Sequence, residues 1–225
     1  MAGFVEAGWG NSESKVSGAS GDGDHEYYGL GGALRYEFEN PFYVEGSLRF
    51  GWASTEFDGD YAVGNAQYDS DSLYATAHVG GGYVFELTPS VSMDIYGRYM
   101  LTYLEGDEVD LHTGSGESLD MDDTTAHTVR VGFNLLGDYT KELAWHAGLA
   151  YEHVFDGDAE STVLVGGSRA SLDTPTLEGN TGIADIGFTY QPDDGTSPWT
   201  FGINLKGYAG DRQGVTGSLN ALYTF

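Results

Sequence analysis

The feature that most constrains this chain is a two-residue alternation of apolar and polar side chains, repeated along nearly its whole length. From Pro198 to Asp211, Trp199, Phe201, Ile203 and Leu205 share one face, and Thr200, Gly202, Asn204, Lys206 and Tyr208 share the other. Val91, Met93, Ile95, Tyr99 and Leu101 likewise oppose Ser92, Asp94, Tyr96, Arg98 and Thr102. Period two is the pleat of a β-strand, whose successive side chains point to opposite faces. Ten strands are read near 2–10, 25–39, 42–56, 71–87, 91–104, 124–139, 143–155, 179–191, 198–210 and 213–225. Globular strands centre on ~5–6 residues, whereas a tilted strand crossing a bilayer needs about 9–11. Most of these runs are longer still, which favours a membrane-spanning sheet over a soluble sandwich.

The connections alternate in length. Residues 11–24, 57–70, 105–123 and 156–178 read as long, acidic, Gly/Ser-rich loops, separated by tight links at Asn40-Pro41, Thr88-Pro89, Thr140-Lys141-Glu142 and Pro192–Pro198. Gly210–Gln213 is short where a long loop is due. Two unlike ends are the mark of an up-and-down meander, and in outer-membrane barrels the short turns face the periplasm. An even strand count then places both chain ends on the periplasmic side. The expectation is an all-β, up-and-down antiparallel transmembrane β-barrel of about ten strands, forming one domain over residues 1–225.

Composition excludes several functions. The formal charge of −26 argues against nucleic acid, whose binding rests on Lys and Arg neutralising phosphates. The absence of Cys removes disulfides and thiolate chemistry. No apolar run reaches the ~18 residues of a transmembrane helix. Met1 is followed at once by strand-like sequence, so any signal peptide is expected to have been removed.

The charges are sorted by face. Arg35, Arg49, Arg98, Arg130 and Lys206 fall within strands opposite the apolar stripe, as do Glu6, Glu37, Glu45, Glu86, Asp94, Glu152 and Asp185. In a soluble sheet this would be a solvated outer face. Strand length and meander order favour the inverse, with the apolar face toward lipid and the charges lining a lumen. Glu37, Glu45, Asp94 and Asp185 are expected to pair with Arg35, Arg49, Arg98 and Arg130. The same face is rich in Gly, read either as easing strand curvature or as keeping the lumen open.

Catalysis and metal binding find little support. The six His form no H-E-x-x-H pair, and no G-x-S-x-G elbow occurs. His78 and His146 face the lumen on this parity and are read as members of a polar network. Asp22-Gly23-Asp24, Asp58-Gly59-Asp60 and Asp156-Gly157-Asp158 offer oxygen ligands, but none completes a Ca²⁺-binding loop, and no cofactor or metal is expected.

Gly214 to Phe225 resembles the last strand of an autotransporter β-domain, with Leu219, Ala221, Tyr223 and Phe225 spaced by two on the lipid face. Phe42 to Arg49, Asp94 to Tyr99, Ala150 to Gly157 and Leu177 to Gly182 are similar to successive segments of that family. The resemblance spans essentially the whole chain. It implies a twelve-stranded outer-membrane translocator whose lumen helix leads to an N-terminal passenger. It also implies that the last strand signals to the barrel-assembly machinery, and that the partners are the lipid bilayer, that machinery and a passenger. This sequence shows ten strands and no candidate lumen helix. A narrow pore or structural anchor without secretion is the alternative reading, and an outer-membrane hydrolase a third.

Overall fold

The computed structural model describes residues 2–16, 19–61, 64–111, 116–158, 160–172, 176–192 and 196–224. Ten antiparallel strands form one sheet: β1 (Ala2–Val16), β2 (Ala19–Glu37), β3 (Phe42–Tyr61), β4 (Gly64–Thr88), β5 (Val91–Leu104), β8 (Thr124–Asp138), β9 (Leu143–Asp156), β12 (Gly179–Tyr190), β13 (Trp199–Gly210) and β14 (Gly214–Tyr223). Each pairs with its neighbour in the chain, as a meander requires. The sheet is curled, with β1 and β14 as its two edges.

The tight links are built as the turn residues predict. Asn40 Oδ1 accepts from Phe42 N (3.3 Å), Thr88 Oγ1 from Ser90 N (3.3 Å), Thr140 Oγ1 from Leu143 N (3.0 Å) and Ser197 Oγ from Trp199 N (3.1 Å). At each, a short polar side chain substitutes for the strand ladder while the chain reverses.

The four segments read as loops are largely β-structure, which corrects that reading. Residues 11–24 and 57–70 mostly continue the β1–β2 and β3–β4 hairpins beyond the apolar zone. Within 105–123 and 156–178 lie β6 (Asp107–Leu111), β7 (Glu117–Met121), β10 (Ser161–Val165) and β11 (Ser168–Leu172). These four make a second sheet in the order β11-β10-β7-β6. Val109, Leu119, Val163 and Ala170 form one cross-strand row in it, and Val109 is 6% exposed. Backbone ladders answer for the rest: the acidic extensions keep the antiparallel register of their hairpins, in which alternate residues exchange amide and carbonyl bonds with the partner strand.

Among the described residues no second layer covers the apolar face of the large sheet. No described side chain is fully buried, and Leu48, Ile95, Leu149, Ile186, Ile203 and Leu205 stay exposed. A sandwich would bury these residues against another sheet. Among the described residues no helix is long and apolar enough to cross a membrane.

Candidate functional site

The charged face is the concave one, because its side chains reach across intervening strands. Neighbouring strands lie about 4.8 Å apart, and only inward curvature brings second and third neighbours within contact. The Tyr74 hydroxyl on β4 donates to Glu6 Oε1 on β1 at 2.7 Å, across β2 and β3. The Tyr43 hydroxyl on β3 donates to both carboxylate oxygens of Asp94 on β5, at 3.0 and 2.9 Å. Arg98 Nε on β5 donates to Glu45 Oε1 on β3 at 2.6 Å.

Three carboxylates anchor the lattice. Glu45 also faces Arg35 Nη1 at 3.9 Å and His78 Nε2 at 3.8 Å. Glu6 faces Arg49 Nη1 at 3.5 Å. Glu152, only 4% exposed, accepts from Arg130 Nε at 2.8 Å, from Arg130 Nη2, and from Arg212 Nη2 at 2.9 Å. Arg98 and Arg130 stand directly opposite each other on β5 and β8, a like-charge pair that would repel if both side chains stood upright. They lean apart, Arg98 toward Glu45 and Arg130 toward Glu152, so each guanidinium ends beside a carboxylate.

The remaining sites are placed as follows. Arg35 Nε donates to Glu37 Oε1 at 3.0 Å near the turn end, and the Arg35 guanidinium lies 3.6 Å over the Tyr43 ring. Asp185 takes His146 Nε2 at 3.5 Å rather than an arginine, and Asn204 Nδ2 donates to that same nitrogen at 2.8 Å. Asp94 likewise takes a tyrosine hydroxyl rather than an arginine. Lys206 stands opposite Asp185 in the β12–β13 register, with no ion pair to it seen among the described residues. Glu86 is exposed at the turn end. Leu219, Ala221 and Tyr223 lie on the outward face of the exposed edge strand β14. Phe225 lies outside the described residues, as does His112.

Sequence reasoning missed Arg212, Tyr43, Tyr74 and Asn204. Parity puts Asn204 on the charged face, but parity alone does not follow side-chain reach from strand to strand. Arg212 sits in the short link after β13, and only folding brings it back over β9.

The inward glycines are beds for these long side chains. A Cβ on Gly82 would lie 2.6 Å from the Tyr43 hydroxyl and 2.7 Å from Ile95 O. One on Gly29 would press on the Tyr74 hydroxyl and lie 2.6 Å from Phe50 O. Removal of the Cβ lets a tyrosine lie flat across a neighbouring strand and reach its carboxylate. Toward the loop end, Arg49, Arg130, Glu152 and Arg212 border a hydrated-size space of about 490 Å³.

Two histidines touch serines. His25 Nε2 lies 3.0 Å from Ser12 Oγ, with Nδ1 3.1 Å from Thr55 Oγ1. His78 Nδ1 bonds Ser47 Oγ, while Nε2 has no hydrogen-bond partner. Neither ring has a carboxylate within hydrogen-bond distance on its second nitrogen, the contact that orients a catalytic base. Asp156, Asp158 and Glu178 bring carboxylate oxygens within 4.8 Å of one another. All three are exposed at the loop end.

On the outward face aromatics gather at both ends of the strands. Phe42–Tyr83 (4.7 Å) and Trp199–Tyr223 (5.0 Å) pack edge-on near the turns, and Tyr28–Trp52 stack at 5.7 Å toward the loops. From Phe42 to Trp52 on β3, at ~3.3 Å per residue and a tilt near 40°, the belts stand about 25 Å apart, the height of a membrane barrel's apolar band.

A model of the autotransporter beta-domain family matches residues 5–201. None of the curated proteins matches the chain. Among solved structures, the chain is similar to the β-domain of the Bordetella autotransporter BrkA, with 17% identity, a TM-score of 0.67, and coverage of 99% of this chain and 91% of that one. A further match is the transport unit of the autotransporter AIDA-I from Escherichia coli, at 12% identity and a TM-score of 0.47, covering 100% of this chain and 91% of that one. With a sheet that meanders, a charged concave face and a family match over most of its length, the chain belongs to the autotransporter β-domain family, the outer-membrane translocator and anchor of type V secretion.

Proposed function

We propose that residues 1–225 act as one barrel domain, with the outward apolar face against the lipid bilayer and the concave lattice lining the path taken by a passenger. The observation that carries this reading is the reach of Tyr74, Tyr43 and Arg98 across intervening strands to Glu6, Asp94 and Glu45. A lining of balanced, mutually bonded charges offers water and polypeptide a polar surface, yet leaves few free charges to trap a passing segment. The work is assembly and passage rather than turnover, a reading supported by the way the polar lattice takes up both lumen histidines, His78 through Ser47 and His146 through Asn204 and Asp185. An epitope fused ahead of Ala2 should become accessible to external protease on intact cells. An epitope that stays protected, in a chain shown to be inserted, would reject the passage role.

The exposed strand β14 is the segment we assign to the barrel-assembly machinery. Its unpaired edge offers backbone groups for β-augmentation, and Leu219, Ala221, Tyr223 and Phe225 supply alternate side chains for pockets. Phe225→Ala should sharply lower outer-membrane insertion in cells while changing refolding into detergent only slightly. Equal modest losses in both assays would leave Phe225 an ordinary interfacial aromatic.

A further inference from the structure

Strands β12 and β13 carry two kinds of glycine. On the concave side a Cβ on Gly187 would collide with the His146 ring, and one on Gly202 would lie 2.5 Å from Asn220 Oδ1. On the outward side the fold leaves room: a Cβ on Gly182 would lie 3.5 Å from Ala209 O, and one on Gly207 4.0 Å from Ala184 O. Glycine inside a strand weakens it, and marks a bulge, a tight bend or a place where a ligand comes close to the backbone. The β12–β13 ladder runs from Thr181–Gly210 to Tyr190–Phe201 without a register shift, so no bulge accounts for them. We infer that Gly182 and Gly207 keep open a groove that binds one acyl chain of an outer-leaflet lipid, with Asn180 at its rim receiving oxygens of the headgroup. This rests on the lipid-facing reading above and adds to it a single retained lipid.

The groove is built by the register. Gly182 stands opposite Ala209 and Ala184 opposite Gly207, so four small residues make one block on the outward face. Leu149 and Tyr151 on β9 wall the block on one side, and Val215 on β14 walls it on the other. The space between measures about 770 Å³, inside the ~300–1,000 Å³ range of clefts that bury most of a small ligand. The Ile186–Leu205 pair ends it toward the middle of the membrane. From Asn180 to Ile186, at ~3.3 Å per residue and a tilt near 40°, it runs about 15 Å along the membrane normal, half of a ~30 Å hydrocarbon core. It is therefore one leaflet deep, and it opens at the loop end, away from the short periplasmic turns. Its floor is two strands wide, about 10 Å, which admits a hydrocarbon chain but not the convex wall of a second barrel.

At the loop-end rim the outward face turns polar. The Tyr151 hydroxyl donates to Asn180 Oδ1, and His153 Nδ1 lies 3.0 Å from the same oxygen. Tyrosine at this height keeps its ring in hydrocarbon and its hydroxyl among headgroups. With Asn180 held there, its Nδ2 presents amide donors of the kind that ester and phosphate oxygens accept. An apolar slot one leaflet deep, with donors only at its outer end, matches the layout of a lipid.

The chain is folded into vesicles of dimyristoylphosphatidylglycerol, extracted into detergent and weighed by native mass spectrometry. One lipid per chain is expected to survive extraction. Ala184→Leu/Gly207→Leu fills the groove and should lower the lipid affinity about ten-fold, as for roughly two methylenes left unburied. Asn180→Ala should lower it about five-fold, as for one lost hydrogen bond. Gly97→Leu, on the outward face of β5 where a Cβ would lie 3.9 Å from Val131 Cγ1, should leave it unchanged. Gly182→Val adds less bulk and carries the test if the double variant lacks heat-modifiability. A chain-labelled spin probe in the same vesicles reports boundary lipid, expected for the native chain and every folded variant. Absence of boundary lipid from the native chain would reject the lipid-facing reading itself. Boundary lipid present, with equal retention or equal loss across all variants, would overturn the groove alone. A lipid-free dimer that the groove-filling variants split would put a second copy on the block and also overturn it.

Discussion

The large sheet and the small four-stranded sheet are both antiparallel, yet different forces hold them. In the large sheet, apolar side chains point outward and stay exposed, and polar side chains point inward and bond across several strands. In the small sheet, Val109, Leu111, Leu119, Met121, Val163, Val165 and Ala170 share one face, in the ordinary amphipathic manner of a water-facing sheet. One solvent for the outer face and another for the loops is enough to invert the pattern. The large sheet is therefore sensitive to loss of inward polar bonds, and the small one to loss of apolar contact.

The largest break in that comparison is Glu152→Ala. It strips the shared partner from Arg130 and Arg212, and loss of one member of a sequestered ion-pair group costs about 3 kcal/mol. The midpoint of urea unfolding in detergent micelles should fall accordingly, with no change in protease cutting of the loops beforehand. Gly82→Val should also weaken the large sheet, because its side chain occupies the bed of Tyr43. Tyr43→Phe removes only the bond to Asp94, at about 1–2 kcal/mol, and the same unfolding assay would resolve the difference. Leu119→Ala acts on the other region. It should speed proteolysis within residues 105–123 several-fold while heat-modifiability of the barrel stays unchanged.

The smallest effect is a pH dependence at the junction of the two regions. Gly106 N donates to Asp123 Oδ1 at 2.8 Å, and the Tyr103 hydroxyl donates to Oδ2 at 2.9 Å. The backbone amide of Gly106 and then the Tyr103 hydroxyl hold the Asp123 carboxyl below the usual carboxylate range. A depressed acid contributes order that is fully present above its unfolded value near ~3.9 and is lost as pH falls through the lower folded value. Amide exchange at Gly106, corrected for its intrinsic pH dependence, should rise several-fold below about pH 4 in the native chain. In Asp123→Asn it should be raised already at neutral pH and flat with acid.

The membrane strands were legible because one physical rule, period two over long runs, acts on every residue of them. Their ends were less so. Asn11 to Asp24 carries almost no apolar alternation, and its pairing is held by backbone bonds that leave no trace in side-chain type. The small sheet did leave a trace. Val109 and Leu111, Leu119 and Met121, and Val163 and Val165 alternate, and Gly166-Gly167 adopts the positive φ values (56° and 83°) of a tight hairpin turn. Short strands among acidic residues hid that signal. The face carrying the charges was readable from parity, but the partners were not. Asp94 and Asp185 find Tyr43 and His146 rather than arginines because reach over a bed of glycine, not charge alone, decides who meets whom on a concave surface.

The central claim is that the charged face is wet and the apolar face lies in lipid. Single cysteines at Arg98, Arg130 and Lys206, and at Ile95, Phe133 and Ile203, each carrying a nitroxide in phospholipid vesicles, test it by collision with a water-soluble nickel complex and with oxygen. Labels at 98, 130 and 206 should collide preferentially with the nickel complex, and those at 95, 133 and 203 with oxygen. The reverse pattern, or nickel access at all six, would contradict the account.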